Sequence, residues 1–379
     1  MAKQISELKL GILGGGQLGR MLIQQAINYN LTTLVLDPDH DAPCKNLANY
    51  FECGSITDFD TVYKFGKKAD IITIEIEKVN IEALDQLEKE GKLVFPQARV
   101  IRLIQDKGIQ KQFFKENDIP TAPFQLANTK EDLLNSNFPF PYMLKQRKDG
   151  YDGKGVMKIN NVADLDNAFD SPCLIEELVD FEKEIAVIVS RNQNGDVKTF
   201  PMVEMEFNDE ANLVEFLISP STYPDSIQER AENIAKKIAA ALNITGLLAV
   251  EMFITKDGRI LVNELAPRPH NSGHHTIEGN RVSQFDQHLR AICNLPLGDT
   301  SSISNAVMIN VLGEKGHDGV AKYPGLEKIM ALDGVYVHLY GKKYTKPFRK
   351  MGHITIVDQN REAAIEKANY IKETLKVIS

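Results

Sequence analysis

Residues 9–36 run from a short apolar stretch through a glycine cluster and an amphipathic segment into a second apolar stretch. No other feature constrains the chain as much, because this order is that of a βαβ unit and commits the start of the chain to an α/β layer. A further apolar run at 71–74, a helical segment at 81–90 with Gly91 just beyond it, and a run at 93–95 stopped by Pro96 complete that layer. It is expected to span 1–96, the first of two or three domains in a chain of 379 residues, at roughly 150 residues per domain.

Beyond Pro96, residues 105–117 have the pattern of a helix broken at Ile119-Pro120, followed by strand candidates at 142–146, 156–159 and 173–178. The clearest helix is 225–242, where Ile227, Ala231, Ile234, Ala235, Ile238, Ala239 and Leu242 form one apolar face. This mixed α+β part is expected to span 97–295. After Pro296 a smaller unit, 296–379, holds strand candidates at 335–340 and 353–357 and a closing helix at 362–375. No internal repeat or low-complexity tract is visible.

Composition narrows the function. Hydrophobic residues make up 43% and charged residues 25%, as in ordinary globular proteins. The 44 basic residues are outnumbered by 52 acidic ones, and a net charge of -8 argues against a nucleic-acid or anionic-membrane binder. Any bound anion must therefore be held locally. No apolar stretch is long enough to span a bilayer and residues 1–8 lack the apolar core of a secretion signal, so a cytoplasmic protein is expected. Cys44, Cys53, Cys173 and Cys293 lie far apart without a C-x-x-C, which predicts reduced thiols rather than disulfides or zinc.

Two glycine motifs point to phosphate. Gly14, Gly16 and Gly19 match G-x-G-x-x-G, and Asp37 ends the second apolar run where a ribose-binding carboxylate would stand. Three readings stay open: a dinucleotide, the phosphate of another ligand at a helix N-terminus, or tight strand-helix packing. Lys145 precedes Asp149-Gly150-Tyr151-Asp152-Gly153-Lys154-Gly155, the glycine-rich tip of a hairpin. Its N–H groups and lysines suit a polyphosphate, although it is not a Walker A loop, and a solvated surface turn is the bland reading.

The paired carboxylates carry the most chemistry. Asp257-Gly258 signals a two-residue turn between the apolar runs 247–254 and 260–262, which sets Glu251 opposite Glu264. Facing carboxylates repel unless a cation lies between them. Magnesium is the economical ion, since it needs few protein ligands and fills its remaining positions with phosphate oxygens and water; manganese is the alternative. A solvated sheet face with one glutamate protonated is the competing reading. Asn263 offers another oxygen, although strict alternation points it to the opposite face.

Polar donors crowd the segment that follows, Arg268, His270, Asn271, Ser272, His274 and His275. An anionic substrate fits them better than zinc, because Pro269 and Gly273 argue against the helix that a His270–His274 pair would need. Lys342, Lys343, Lys346, Arg349 and Lys350 then place five positive charges within residues 342–350, as a receptor for a phosphorylated substrate or a solvated turn.

With these residues assembled, the chain resembles the ATP-grasp enzymes and, among them, the 5-(carboxyamino)imidazole ribonucleotide synthase family of purine biosynthesis. The likeness runs nearly end to end and is carried by LGILGGGQLGRML at 10–22, QDKGIQKQFF at 105–114, KQRKDGYDGKG at 145–155 and NELAPRPHNSGHHT at 263–276. It implies a Rossmann-like N-terminal domain, a central ATP-grasp pair of α+β lobes and a small C-terminal domain, in a homodimer.

The resemblance also implies roles. ATP would meet Arg102, Lys145, Gly150, Tyr151, Asp152, Gly153, Lys154, Gly155 and Val156, with Glu176, Glu177, Leu178 and Val179 as a hinge at the adenine and Glu184 at the ribose. Glu251 and Glu264 coincide with the metal ligands, Asn263 and Glu264 also with the nucleotide site. Gly16, Gln17, Leu18, Glu75, Asn271, Ser272, Arg349 and Lys350 fall toward the ribonucleotide, and Arg268, His270 and Lys342 around bicarbonate and the reactive intermediate. One departure is Phe207, preceded by Glu206, where many members carry a histidine. The implied reaction is ATP-dependent carboxylation of 5-aminoimidazole ribonucleotide by bicarbonate through carboxyphosphate. A formate-using glycinamide ribonucleotide transformylase, a nucleotide-binding dehydrogenase and a non-catalytic nucleotide sensor are the competing readings.

Overall fold

The computed structural model describes residues 4–148, 150, 155–208 and 213–379. Tyr151, Asp152, Gly153 and Lys154 of the expected phosphate loop lie outside the described residues.

A parallel layer comes first, as the opening βαβ pattern requires. β1 (Lys9–Leu13), α1 (Gln17–Asn28), β2 (Thr32–Asp37), β3 (Tyr50–Cys53), α2 (Phe59–Gly66), β4 (Ile71–Ile74), α3 (Ile81–Lys89) and β5 (Leu93–Val94) give a parallel sheet ordered β3-β2-β1-β4-β5. Its central strands are apolar on both faces; Ile12, Leu13, Val35, Leu36, Ile72 and Ile74 are all buried. Strand order reverses between β1 and β4, so a crevice opens beyond their carboxyl ends, at Gly14 and Glu75.

α4 (Ala98–Gln105) and α5 (Lys107–Glu116) lead onward. The single helix expected over 105–117 is interrupted because Asp106 leaves helical geometry and caps α5, accepting from the amides of Gly108 and Ile109. β6 (Phe124–Ala127), α6 (Lys130–Leu134), β7 (Tyr142–Gln146), β8 (Val156–Ile159) and β9 (Cys173–Glu177) follow, and their strands form an antiparallel sheet ordered β6-β9-β7-β8.

A larger antiparallel sheet receives the rest of the chain. It is built from β10 (Phe181–Arg191), β11 (Val197–Thr199), β12 (Val203–Asn208), β13 (Leu213–Ser219), β14 (Gly246–Thr255) and β15 (Ile260–Ala266), with α7 (Asp225–Leu242) packed on it. The apolar stripe of α7 works as expected: Ala231, Ala235, Ile238, Ala239 and Leu242 share a core with Ile185, Val187, Leu248 and Val250. After α8 (Thr276–Gly279) and α9 (Gln284–Ile292), the chain adds β16 (Asn305–Leu312), β17 (Gly319–Val320), α10 (Leu326–Met330), β18 (Val335–Leu339), β19 (Tyr344–Thr345), β20 (Lys350–Asp358) and α11 (Arg361–Thr374). β16 pairs with β13, so the sheet runs β15-β14-β10-β12-β13-β16-β20-β18, continuous across residue 296. Among the described residues no helix is long and apolar enough to cross a membrane, and all four cysteines are free.

α9 fastens the first layer to the larger sheet. Phe285, Leu289 and Ile292 share a core with Met21, Leu22 and Ile71. Between them His288 is fully buried: the Leu247 amide donates to its Nδ1 at 3.3 Å, which leaves the proton on Nε2 to donate to the Thr73 hydroxyl at 2.9 Å. Burial drops its pKa to about 3, and that of the equally buried His275 to about 4. Because these pKa values are depressed in the fold, their stabilising contribution is complete above the ordinary imidazole value and is lost as pH falls from about 6.5 toward 3. His288→Leu should cost about 1–3 kcal/mol at pH 7 by stranding the Leu247 amide. It should also make the fall in unfolding free energy between pH 6 and pH 4 shallower, by up to about 1.4 kcal/mol per pH unit. Urea denaturation across that range measures both; parallel pH profiles for variant and wild type would contradict the assignment.

Candidate functional site

The β14–β15 hairpin brings Glu251 and Glu264 together as a cross-strand pair. The turn differs from the two-residue one expected. Thr255 and Arg259 close a three-residue loop with Gly258 at φ 79°, a left-handed position that suits glycine. That loop alone would misalign the glutamates, since near it Met252 pairs with Val262. A bulge between Met252 and Glu251 leaves Asn263 unopposed and restores the register at Glu264. The same bulge re-aims Asn263, whose Oδ1 accepts from Lys145 at 3.0 Å. Asn263 and Glu264 thereby serve one site, contrary to strict alternation.

Electrostatics single out this pair. Burial, reinforced by the neighbouring Glu264 carboxylate, pushes Glu251 up to about 8, while the Lys107 ammonium 2.6 Å away holds Glu264 down at about 2. Burial also raises Glu184, on β10, to about 7, with Glu264 adding to the rise against Lys145. One acidic group too many is thus packed into the cleft. Among the described residues no three His, Cys, Asp or Glu side chains converge on a metal position, so the protein could offer an ion only this pair and an amide oxygen. Such a sparse, all-oxygen donor set fits an ion that keeps water and phosphate ligands, as magnesium does.

Lysines from two elements, α5 and β7, line the same cleft. Lys145 on β7 is 2.6 Å from Glu176 on β9, and the buried Lys111 on α5 contacts the other oxygen of that carboxylate. Both ammoniums hold Glu176 below the usual carboxylate range in spite of its burial. Lys107 and Lys111 were missed by the sequence reading, although QDKGIQK spaces them i,i+4, on one face of a helix. Arg147 and Asp106, also missed, clamp β7 to α5 with bonds of 2.9 and 2.8 Å. Glu177, Leu178 and Val179 lie where the chain passes from the four-stranded sheet to the larger one, and Glu176, the first residue of the expected hinge, lies on β9. Val156 pairs with Lys145, and Gly155, at φ 73°, bonds to Gln146 at the neck of the loop that begins at Gly150. Arg102 is paired with Asp85, its other acidic neighbours being Glu82 and Glu88. Phe207 packs against the apolar cluster of Ala186, Met205 and Leu217.

The first glycine cluster is already filled by carboxylates. Glu75 accepts from the amides of Gly16 and Gly19, and Asp37 from that of Gly15, each at 2.6 Å. A Cβ on Gly14 or Gly16 would strike the Glu75 side chain at 2.4 Å. Glycines are needed here because an internal acid occupies the place a dinucleotide phosphate would take, which removes the dehydrogenase reading. Gln17 is half-buried and Leu18 buried in the first turn of α1. Two residues past Glu75, Glu77 binds Arg268 at 2.8 Å and joins the crevice to the hairpin region.

His270 lies between these parts. Its Nδ1 accepts the Ser272 amide at 3.3 Å, so Nε2 carries the proton and faces Glu251 at 3.4 Å. Ser272 is spent on that ring, its hydroxyl 3.0 Å from Nδ1, and Asn271 exchanges amide hydrogen bonds with Asn310. Both expected substrate contacts thus also carry internal hydrogen bonds. Of the basic segment, Lys350 acts electrostatically on Glu251, Lys342 donates to the Lys350 carbonyl at 2.7 Å, and Arg349 donates to the Tyr344 carbonyl.

Two sheets joined by a short connection, with lysines and a facing pair of carboxylates along the cleft, are the parts of an ATP-grasp protein, and residues 112–285 match the ATP-grasp domain. Residues 8–105 match the ribonucleotide synthetase preATP-grasp domain and 306–367 the phosphoribosylaminoimidazole carboxylase C-terminal domain. The chain is 38% identical to the N5-carboxyaminoimidazole ribonucleotide synthase of Bacillus subtilis, covering 97% of this chain and 96% of that one, and it belongs to that family. Phosphoribosylaminoimidazole carboxylase of Candida albicans is also 38% identical, but the chain spans only 66% of its length. The Thermotoga maritima synthetase structure superposes with a TM-score of 0.91 at 41% identity, over 98% of this chain and 99% of that one. An Aspergillus clavatus synthase bound to ADP and 5-aminoimidazole ribonucleotide gives 0.87 at 32% identity, over 97% and 98%.

Glu264→Gln should weaken magnesium-supported nucleotide binding by at least about tenfold, the lower end of what even outer-shell changes cost a metal site. Calorimetric titration of ADP at several magnesium concentrations is the measurement, and an unchanged magnesium dependence would remove Glu264 from the ion site.

Proposed function

We propose that the chain carboxylates 5-aminoimidazole ribonucleotide with bicarbonate and ATP, giving 5-(carboxyamino)imidazole ribonucleotide, ADP and phosphate. The observation that carries this is the facing pair Glu251 and Glu264, with lysines on the nucleotide side and Arg268, His270 and Lys350 on the other. The ADP and ribonucleotide held by the Aspergillus relative support it. Glu251 and Glu264 would hold magnesium, which supplies neutralising charge to the phosphates when bound. Lys107, Lys111 and Lys145, now on carboxylates, have phosphate oxygens as their alternative partners, and Arg102 would add a nucleotide contact. Residues 177–179 would read the adenine edge and Glu184 the ribose.

A bicarbonate oxygen attacks the γ-phosphorus as the bond to ADP breaks, forming carboxyphosphate. That species splits into carbon dioxide and phosphate. The exocyclic amine then forms the N–C bond and loses a proton. Arg268, which Glu77 steadies, would bind bicarbonate, and His270, with its proton on the nitrogen facing Glu251, would hold or move a proton there. Lys342, Arg349 and Lys350 would take the ribonucleotide phosphate, Glu75 and the first turn of α1 its base. Three working parts, 1–96, 97–295 and 296–379, a cytoplasmic location and a homodimer complete the proposal.

Phosphate release should require ATP, bicarbonate and the ribonucleotide together, and omission of any one should abolish it in a coupled phosphate assay. Release indifferent to the ribonucleotide would overturn the proposal, and formate replacing bicarbonate would reassign the enzyme to the transformylases.

A further inference from the structure

A column of rings stands between the His270 loop and the basic strand β20, and the reaction proposed above uses none of them. His353, fully buried, is its centre: its ring lies 4.4 Å from that of His338, nearly parallel, and 4.7 Å from that of His274, and its Nδ1 is 3.0 Å from the Tyr340 hydroxyl. Burial holds His274 and His353 far below the usual imidazole range, so both rings are neutral. Nε2 of His353 is buried without a hydrogen-bond partner, a cost that packing alone does not explain.

Each end of the column fixes a group of the proposed substrate pocket. At one end, the Gln284 amide donates to the His270 carbonyl at 2.8 Å and to Nδ1 of His274 at 3.1 Å, and accepts the His270 amide at 2.8 Å. Gly273 gives it room, since a Cβ there would come within 2.5 Å of its oxygen. At the other end, the Lys342 ammonium lies 5.5 Å over the Tyr340 ring and bonds to the Lys350 carbonyl. Lys350 and His353 share β20, and His338 is braced by Glu278 of α8 at 2.8 Å.

We infer that the His274–His353–Tyr340 column is a spacer that sets the separation between Arg268 and His270 on one side and Lys342 and Lys350 on the other, and thereby the affinity for the phosphorylated substrate. This rests on the function proposed above. The three are positioning residues: close-packed rings transmit displacement rather than absorb it, and a shift of about 1 Å in a binding group is costly.

Steady-state kinetics of His353→Ala, His353→Phe and Tyr340→Phe test the spacer. His353→Ala should raise KM for 5-aminoimidazole ribonucleotide by about tenfold or more and leave KM for ATP within about twofold, because the nucleotide groups named above lie on other elements, chiefly α5, β7, β9, β10, β14 and β15. His353→Phe, which keeps a ring in the column, should recover most of that loss. A purely structural role would lower the Tm without splitting the two KM values, and that result, or an equal rise in both, overturns the inference. Tyr340→Phe, a change of one hydroxyl that keeps the core filled, should show less than additive effects on the ribonucleotide KM when combined with Lys342→Ala, and strict additivity counts against the spacer. Wild-type turnover separates the two failures: if the ribonucleotide elicits no phosphate release at all, the proposed function falls and the spacer with it.

Discussion

An imbalance of charge governs this molecule. Glu176, Glu184, Glu251 and Glu264 share one cleft with Lys107, Lys111 and Lys145, four acids against three ammoniums. The lysines satisfy Glu176 and Glu264 and leave Glu251 and Glu184 to resist ionisation. Removing that resistance takes further positive charge close to Glu251, and a divalent ion supplies it most directly. Nucleotide phosphates would then compete for the same lysines, so ion and nucleotide have reason to bind together.

Backbone irregularity, not regular secondary structure, gives the cleft its donors. Without the bulge at Asn263 the three-residue loop would turn Glu264 to the far face, since a one-residue slip reverses every side chain beyond it. Asp106 similarly breaks a potential continuous helix so that α5 starts at Lys107 and presents Lys107 and Lys111 to the cleft. Two local departures from periodicity thus fix the positions of both signs of charge.

These departures mark the limits of what the sequence disclosed. Periodicity located the parallel layer, α7 and the strands at 142–146 and 156–159, because each buries an apolar pattern of regular spacing. The glutamate pair was legible from turn chemistry, although turn length and bulge are two errors that cancel. The glycine cluster was not, since G-x-G-x-x-G looks the same whether its amides hold a phosphate or the carboxylate of Glu75, which is distant in sequence. Lys107 and Lys111 were visible as an i,i+4 pair, but Glu264 and Glu176 become their partners only through tertiary structure. Asn271 likewise bonds to Asn310, a partner that only tertiary structure supplies.

The course of the large sheet has one more consequence. β20 stands five strands from β14, about 24 Å if the sheet were flat at ~4.8 Å per strand. Lys350 at the head of β20 nonetheless acts on Glu251, so the last strands of the chain lend positive charge to a carboxylate pair that the middle strands carry.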